Sequence, residues 1–526
     1  MFHRGFRQQA LEELRDPFDL VVVGGGISGA GIFFDAALRG LRVLLVEKGD
    51  LAIGTSSRSS KLIHGGLRYL KQLQLGVTRT SIKERDRQQR LYPQLVHPLP
   101  WVYPSFHDAK TPAWQVEIGL WLYDHLAGSE ERYRKIPTEE LLSLAPGIRH
   151  EDLDKVLVFH DSIVDDARLT FAVAASGFAA GGWVLTRAEP EEALRGPGGD
   201  VCGLVLRDLL TEATHRVEAS LVVNATGAWV DSLRQRFGLE GRTVRPSRGS
   251  HLLFERRAVP VEAAVTVPSP DDGRPVFFIP HPEGVLVGTT DLFHDGSLDD
   301  PRPTRAEADY LLRALARTFP ECAPGWEDVR GAFAGVRPVI TSDVDDPSAA
   351  SREERIWYEE GLLSVAGGKL TTWRATAEEA VDRALKLLPP ERAQEAGRCA
   401  TKRAPLAGAA PLDLPHRLGE AFGLQQATAE GMARRLGSVA WFAAELAGEG
   451  ELLPLADGLD LCAAEIRGHL RFGAVLHLSD LLLRRLRLAM WTPAVASDLA
   501  PHLRELVCGE LGWSGARWEQ ELEAFH

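Results

Sequence analysis

Asp19-Leu-Val-Val-Val-Gly-Gly-Gly-Ile-Ser-Gly-Ala-Gly31, continued by Ile32 to Gly40 and then Leu41-Arg-Val-Leu-Leu-Val-Glu47, decides how this chain folds. Leu20 to Val23 is a short apolar run rich in valine, as a buried parallel strand requires. Gly24, Gly26 and Gly29 follow at G-x-G-x-x-G spacing, Ile27 to Leu38 has helical character ending near Gly40, and Arg42 to Val46 reads as a second buried strand closed by Glu47. Each residue type has a physical role. Gly24 allows the tight turn, Gly26 lets a pyrophosphate approach the backbone, and Gly29 lets the helix pack on the strand. The helix N-terminus, with Ile27 and Ser28, offers N–H groups and partial positive charge to the anion. Glu47 stands where a carboxylate accepts from a ribose 2′-hydroxyl, which favours NAD or FAD over NADP.

Working outward, a chain of 526 residues exceeds one hydrophobic core, so two or three domains are expected. A hydrophobic content of 44% and a charged content of 25% are ordinary for a globular protein, and no window has the run of about twenty apolar residues a spanning helix needs. The formal charge of −13 argues against nucleic acid as the main partner. Five scattered cysteines without a C-x-x-C pair read as reduced thiols of a cytoplasmic protein, and metal binding is unsupported.

Residues 1 to 17 mix Phe2, Phe6, Leu11 and Leu14 with arginines. The sequence expects a leader packed over the sheet, with an amphipathic arm on a membrane face as the alternative. After Glu47 comes Thr55-Ser-Ser-Arg-Ser-Ser-Lys-Leu-Ile-His-Gly-Gly-Leu-Arg-Tyr-Leu70, whose hydroxyls, lysine and backbone amides suit further phosphate and flavin-ring contacts. The charge run from Thr80 to Leu91 reads as a solvated helix face. Residues 114 to 126 read as a helix with Trp114, Ile118, Trp121, Leu122 and His125 on or near one face, assigned to packing. An alanine-rich helix at about 169 to 181, a strand from Trp183, an antiparallel hairpin around Val205 and a strand from Leu221 return the chain to the nucleotide sheet. Residues 245 to 340 look largely β, with a helix at 304 to 318 capped by Thr304 and Glu307. Leu362 to Trp373 repeats the strand–glycine–helix theme. From about 400 the pattern is helical, strongest over Ile466 to Met490, whose arginines read as a solvated edge or as a lipid or partner contact.

The residues now reached resemble those of FAD-dependent glycerol-3-phosphate dehydrogenases of the aerobic, quinone-linked type. The resemblance is carried by Gly24-Gly-Gly-Ile-Ser-Gly-Ala-Gly31, Ser59-Ser-Lys-Leu-Ile-His-Gly-Gly-Leu-Arg-Tyr-Leu70, Tyr123-Asp-His-Leu126, Val164-Asp-Asp-Ala-Arg-Leu169, Val223-Asn-Ala-Thr-Gly-Ala-Trp229, Gly249-Ser-His251, Gly288-Thr-Thr-Asp291, Gly335-Val-Arg-Pro338 and Gly367-Gly-Lys-Leu-Thr-Thr-Trp373. It implies an α/β fold: a Rossmann-type FAD domain of the glutathione-reductase kind, an inserted mixed-sheet substrate domain and a C-terminal α-helical domain. The corresponding division is 17–95, 155–245 and 350–390 for FAD, 96–154 and 246–349 for substrate, and 400–526 for the helical tail.

The implied reaction oxidises sn-glycerol 3-phosphate to dihydroxyacetone phosphate by hydride transfer to FAD N5, with electrons passed to a membrane quinone. The implied setting is cytoplasmic and peripheral on the inner face of the cell membrane, in contact with lipid and often as a homodimer. The resemblance places Arg68, Tyr69, Arg337 and Arg352 around the substrate, with His251, Arg337 and Lys369 at the reacting end. An arginine fork suits phosphate oxygens, and imidazole titrates near neutral pH. The residues leave open whether His251 or Lys369 takes the proton. Cofactor contacts are expected from Gly24, Gly26, Ile27, Ser28, Gly29, Glu47, Lys48, Thr55, Ser56, Ser57, Ser59, Ser60, Lys61, His64, Gly65, Gly66, Leu67, Ala188, Thr226, Gly227, Gly368, Lys369, Leu370 and Thr371. Competing readings are an oxidase using O2, an amine or amino-acid oxidase of the same fold, and a non-catalytic redox sensor.

Overall fold

The computed structural model describes residues 1–66, 75–108, 111–127, 132–322, 324–341, 354–456 and 458–526. The expected first strand and crossover are present. Strand Phe18–Val23 is buried at every position, helix Ile27–Leu38 follows, and strand Val43–Glu47 lies parallel to the first. Continuous apolar runs form strands here because both faces of a parallel sheet are covered. Thr214–Asn224 pairs parallel on the other side of the first strand and Leu362–Ala366 beyond it, while Arg355–Glu359 closes that edge antiparallel. Trp183–Thr186 forms the opposite edge. The hairpin Ala188–Arg195/Val201–Asp208 extends from Thr214–Asn224, giving eight strands.

A second, ten-stranded mixed sheet holds Val96–Phe106, Leu153–Val164, Val244–Phe254, Val329–Ile340 and six shorter strands. Leu62–Ile63 and the whole of Leu153–Val164 belong to this sheet, so the divisions drawn at 95 and 155 cut across it. The chain enters the second sheet earlier than expected, because the segment after the hydroxyl-rich loop pairs with Leu153–Val164 before the charged helix begins. Helix Arg305–Thr318 packs on the second sheet and starts with the expected capping box of Thr304 and Glu307.

The N-terminal arm is a docked element. Phe2 is buried against Phe6, Phe171 and Phe178, and Arg7 donates to Asp208 and to the Thr186 carbonyl. Two charged segments depart from expectation. Helix Leu75–Leu91 is not merely a solvated face: Glu84 chelates Arg374, Gln88 meets Trp373 and the Thr371 carbonyl, and Arg85 reaches Asp161 and Tyr123. Charges are buried here because each has a partner of opposite sign within hydrogen-bond reach.

In the tail, the block from Ile466 to Met490 is broken into helix Ala463–Phe472, a π-helical turn Asp480–Arg485 and a short helix Leu488–Trp491. Arg467 and Arg471 are partly exposed and pair with Glu510, but its other three arginines are interior groups. Arg484 and Arg485 close on Asp50, and Arg487 reaches Asp166 and the Ser57 carbonyl. The aromatic helix Ala113–Ala127 departs in the opposite sense: Trp114, Ile118 and Trp121 are each more than half exposed, at 57%, 57% and 53%. No helix among the described residues is long and apolar enough to cross a membrane.

Candidate active site

The two sheets enclose a cavity of about 1410 Å³ whose floor is the glycine turn after the first strand. Gly24 adopts φ 112°, in the left-handed half that favours glycine, and a Cβ there would lie 2.6 Å from the Ala225 carbonyl oxygen. A Cβ on Gly29 would lie 1.9 Å from the Gly24 carbonyl oxygen, so glycine is what lets the helix close on the turn. Gly26 is the N-cap of helix Ile27–Leu38 and contributes no side-chain cap, and the first helical amide, Ile27 N–H, donates to Ser56 Oγ at 2.9 Å. Glu47 is buried and accepts from the Gly25 and Gly49 amides at 2.6 and 2.7 Å. Burial raises its pKa while those two amides oppose the rise, and the carboxylate is held rigidly at the cavity edge.

Of the expected cofactor contacts, Gly24, Gly26, Ile27, Ser28, Glu47, Lys48, Thr55, Ser56, Ser59, Ser60, His64, Gly66, Thr226, Gly227, Gly368, Lys369, Leu370 and Thr371 line this one cavity. Others stand behind its wall. Lys61 turns away: its ammonium pairs with Asp166 at 2.7 Å and its side chain is 1% exposed. Burial, then Arg487, lowers the lysine pKa, and Asp166 opposes that. Ser57 is buried beside the same carboxylate's partners, and Ala188 is packed in the core under the first sheet. Gly65 sits behind the surface because its N–H donates to Tyr123 Oη at 2.9 Å and Asp161 at 3.2 Å. Leu67, Arg68, Tyr69 and Arg352 lie outside the described residues.

The substrate-side groups converge from the second sheet and from the turn after Leu362–Ala366. Arg337 lines the cavity, and its guanidinium donates to Thr289 Oγ1 at 3.0 Å and approaches Asp291 at 3.3 Å. Asp291 is itself fixed by the Ser247 hydroxyl at 2.5 Å. The fork lies flat on the facing strand: a Cβ on Gly249 would come within 2.2 Å of Arg337 Nη2. Lys369 lines the cavity and donates to Ser81 Oγ at 3.3 Å. Thr371 donates to the His64 carbonyl and accepts from the His64 amide, both at 3.1 Å, tying the two glycine-flanked turns together.

His251 is 1% exposed and does not reach the cavity itself. Its Nε2 is 2.8 Å from Ser60 Oγ, its ring stacks on Phe333 at 4.8 Å, and its Nδ1 has no partner among the described residues. Burial, then Arg337 and Lys61, holds its pKa well below the ordinary value of 6.5, so the imidazole is neutral at pH 7. Histidine and cavity are therefore connected through a serine hydroxyl.

Residue-by-residue reading misses the supporting groups. Tyr123, Asp161 and Arg85 form a buried cluster, with Tyr123 donating to Asp161 at 2.7 Å, that pins Gly65. Asp291 and Thr289 orient Arg337. Tyr123 and Asp291 stand inside the motifs that carry the resemblance, which is their only sequence signal. An apolar wing of the cavity, with Trp101, Tyr103, Phe159 and Phe277, opens beside Ile118 and Leu122 of the aromatic helix.

The residues present fit a dinucleotide with a buried acid at its ribose end, and the volume accommodates FAD with a small substrate. Comparison with known proteins agrees. Residues 19–383 match the family model described as FAD dependent oxidoreductase, and residues 399–518 match the C-terminal domain of alpha-glycerophosphate oxidase. An aerobic glycerol-3-phosphate dehydrogenase of Staphylococcus epidermidis is 38% identical over 408 residues, 76% of this chain and 73% of its own. One from Bacillus subtilis is 38% identical over 396 residues, 74% and 71% of the two chains. The structure of the glycerol-3-phosphate dehydrogenase from Bacillus halodurans complexed with FAD superposes with a TM-score of 0.79 at 29% identity, covering 100% of this chain and 98% of that one. By these measures the chain belongs to the FAD-dependent oxidoreductase family, among the aerobic glycerol-3-phosphate dehydrogenases, and its cofactor is FAD.

Proposed function

We propose that the chain oxidises sn-glycerol 3-phosphate to dihydroxyacetone phosphate and delivers the electrons to a membrane quinone at the inner face of the cell membrane. The observation that carries the first half is the sharing of one cavity by the dinucleotide cradle and two cations, Arg337 and Lys369. When bound, FAD supplies the acceptor for the hydride leaving C2. The protein's own residues do the rest. Arg337, held by Thr289 and Asp291, sets its positive charge beside the oxygen that gains charge at C2. Ser60, on the cavity wall, takes the hydroxyl proton and passes its own to neutral His251 behind it. Lys369 adds a second cation to the same cavity, and Arg68 and Arg352 are assigned to the phosphate from the resemblance.

The second half is supported by the apolar wing and by the helix at its mouth. Trp114, Ile118 and Trp121 form one exposed stripe, and Ile118 also lines the cavity. Tryptophan is favoured where an apolar ring meets the polar boundary of a bilayer, and a lipid-soluble acceptor needs such a route. The experiment is anaerobic mixing of the holoenzyme with glycerol 3-phosphate, followed by a quinone analogue in lipid vesicles or by O2. Loss of flavin colour with sn-glycerol 3-phosphate, and reoxidation faster by quinone than by O2, supports both halves. Faster reoxidation by O2 replaces the quinone with the oxidase reading.

A further inference from the structure

The wall of hydroxyls facing the cavity is held from behind by the helical tail. Asp166 is fully buried and its two oxygens collect five groups: Ser59 N–H at 2.9 Å, Ser59 Oγ at 2.7 Å, Lys61 Nζ at 2.7 Å, Arg487 Nη2 at 3.0 Å and the Ala167 N–H at 3.0 Å. Arg487 also donates to the Ser57 carbonyl at 2.9 Å and meets Asp165 at 3.2 Å. Ser60, which carries the bond to His251, stands between Ser59 and Lys61. Lys61 in turn lies 5.5 Å from the centroid of the Phe333 ring on which His251 stacks.

The backbone gives an independent sign that this node is over-determined. Lys61 has φ 58° and Arg487 has φ 61°, both left-handed and neither glycine. Such residues carry strain and persist where surrounding contacts fix them. Glycine at either position would relieve the backbone, so what holds an arginine at 487 is its guanidinium. That guanidinium is buried, and apart from the Leu483 carbonyl in the preceding turn it reaches the Ser57 carbonyl, Asp165 and Asp166, all in the hydroxyl-rich loop or at the start of helix Asp166–Ala179.

We propose that Arg487, contributed by the C-terminal helical unit, is a positioning residue of the active site. Through Asp166 and the Ser57 carbonyl it sets the Ser59–Ser60–Lys61 turn, and with it the Ser60–His251 hydrogen bond and the flavin-facing wall. The tail is therefore part of the catalytic unit, although none of its described residues lines the cavity. The kinetic side of this inference rests on the reading of Ser60 and His251 as the proton path. The cofactor side does not.

The test uses holoenzyme with Arg487→Gly, Arg487→Lys and, as a control inside the tail, Arg435→Gln, which removes a buried pair with Glu465. Glycine suits the left-handed backbone, so Arg487→Gly isolates the guanidinium. It is expected to reduce its flavin about tenfold or more slowly at saturating glycerol 3-phosphate, because a misplaced proton acceptor costs rate. The loss falls on the limiting rate and not on apparent substrate affinity, and FAD dissociates faster than from wild type. Arg487→Lys, which keeps the charge, recovers part of both. Arg435→Gln lowers the melting temperature with a near-wild-type rate of flavin reduction. Wild-type flavin reduction and FAD retention in Arg487→Gly overturn the proposal, as does an equal slowing in Arg435→Gln. If Arg487→Gly yields no folded protein, Arg487→Lys decides, since wild-type values in both readouts contradict the inference. A wild-type enzyme whose flavin ignores glycerol 3-phosphate defeats the functional reading instead, and FAD dissociation from the variants then tests the positioning role alone.

Discussion

Two neighbouring helices make the same point from opposite sides. Leu75–Leu91 is crowded with charge and turns Ser81, Glu84, Arg85 and Gln88 inward. Ala113–Ala127 carries two tryptophans and an isoleucine on one stripe and turns that stripe outward. Helical spacing identifies which residues share a face. Which way the face points depends on partners elsewhere in the chain: Arg374 lies 290 residues from Glu84, and no local pattern announces it. A charged face goes inside when it is paired, and an apolar face stays outside when something other than this chain covers it.

The comparison breaks first at Glu84. Replacing it with alanine leaves the Arg374 guanidinium buried beside fewer acceptors, and destabilisation by about 3–5 kcal/mol is expected in denaturant unfolding. A change under about 0.5 kcal/mol places that helix face in solvent after all. A second test is pH. Burial lowers His281 to about 3 and His469 to about 4 from the ordinary 6.5. The unfolded chain therefore binds protons that the folded one refuses, and stability falls as pH drops from about 6.5 towards those values, by about 1.4 kcal/mol per pH unit per group. Glu465 is buried, which alone would raise its pKa, yet Arg435 holds it down at about 2. Its contribution is complete above about 4.5 and is lost as pH falls towards 2. Urea midpoints measured from pH 7 to 4 that do not fall with pH contradict this account of the buried groups.

Smaller effects sharpen the contrast. Tyr123→Phe removes the hydroxyl that links the aromatic helix to Arg85 and Asp161 and receives the Gly65 amide. A loss of about 1–3 kcal/mol is expected, with weaker FAD retention, since Gly65 adjoins the cavity. Trp114→Ser with Trp121→Ser should change stability by about 0.5 kcal/mol or less, and should abolish co-flotation with lipid vesicles if the stripe meets a bilayer. Unchanged flotation moves the membrane contact elsewhere.

The parts of this molecule legible in the sequence are local. Gly24, Gly26, Gly29 and Glu47 lie within one strand–turn–helix–strand unit, and their spacing is enough to expect that unit. The Thr304–Glu307 cap is legible for the same reason. Arg337, Lys369 and His251 are chemically ordinary residues whose assignment came from motif resemblance, and only the fold shows that His251 reaches the cavity by way of Ser60. The node joining Asp166, Lys61 and Arg487 spans 321 residues between its carboxylate and its arginine, so periodicity could not expose it. Lys61 illustrates the limit: a lysine in a hydroxyl-rich loop reads as a phosphate ligand, yet a buried carboxylate offers it a stronger partner.

The proposed reaction requires Arg337 and a flavin to share one site for a phosphorylated alcohol. The most direct measurement is rapid anaerobic mixing of FAD-loaded wild type and Arg337→Ala with sn-glycerol 3-phosphate, following flavin absorbance. Prompt bleaching is expected in wild type, and in Arg337→Ala retained FAD with reduction slowed about a hundredfold or more, roughly 3 kcal/mol of transition-state stabilisation. Bleaching at the same rate in both proteins, or in neither, contradicts it.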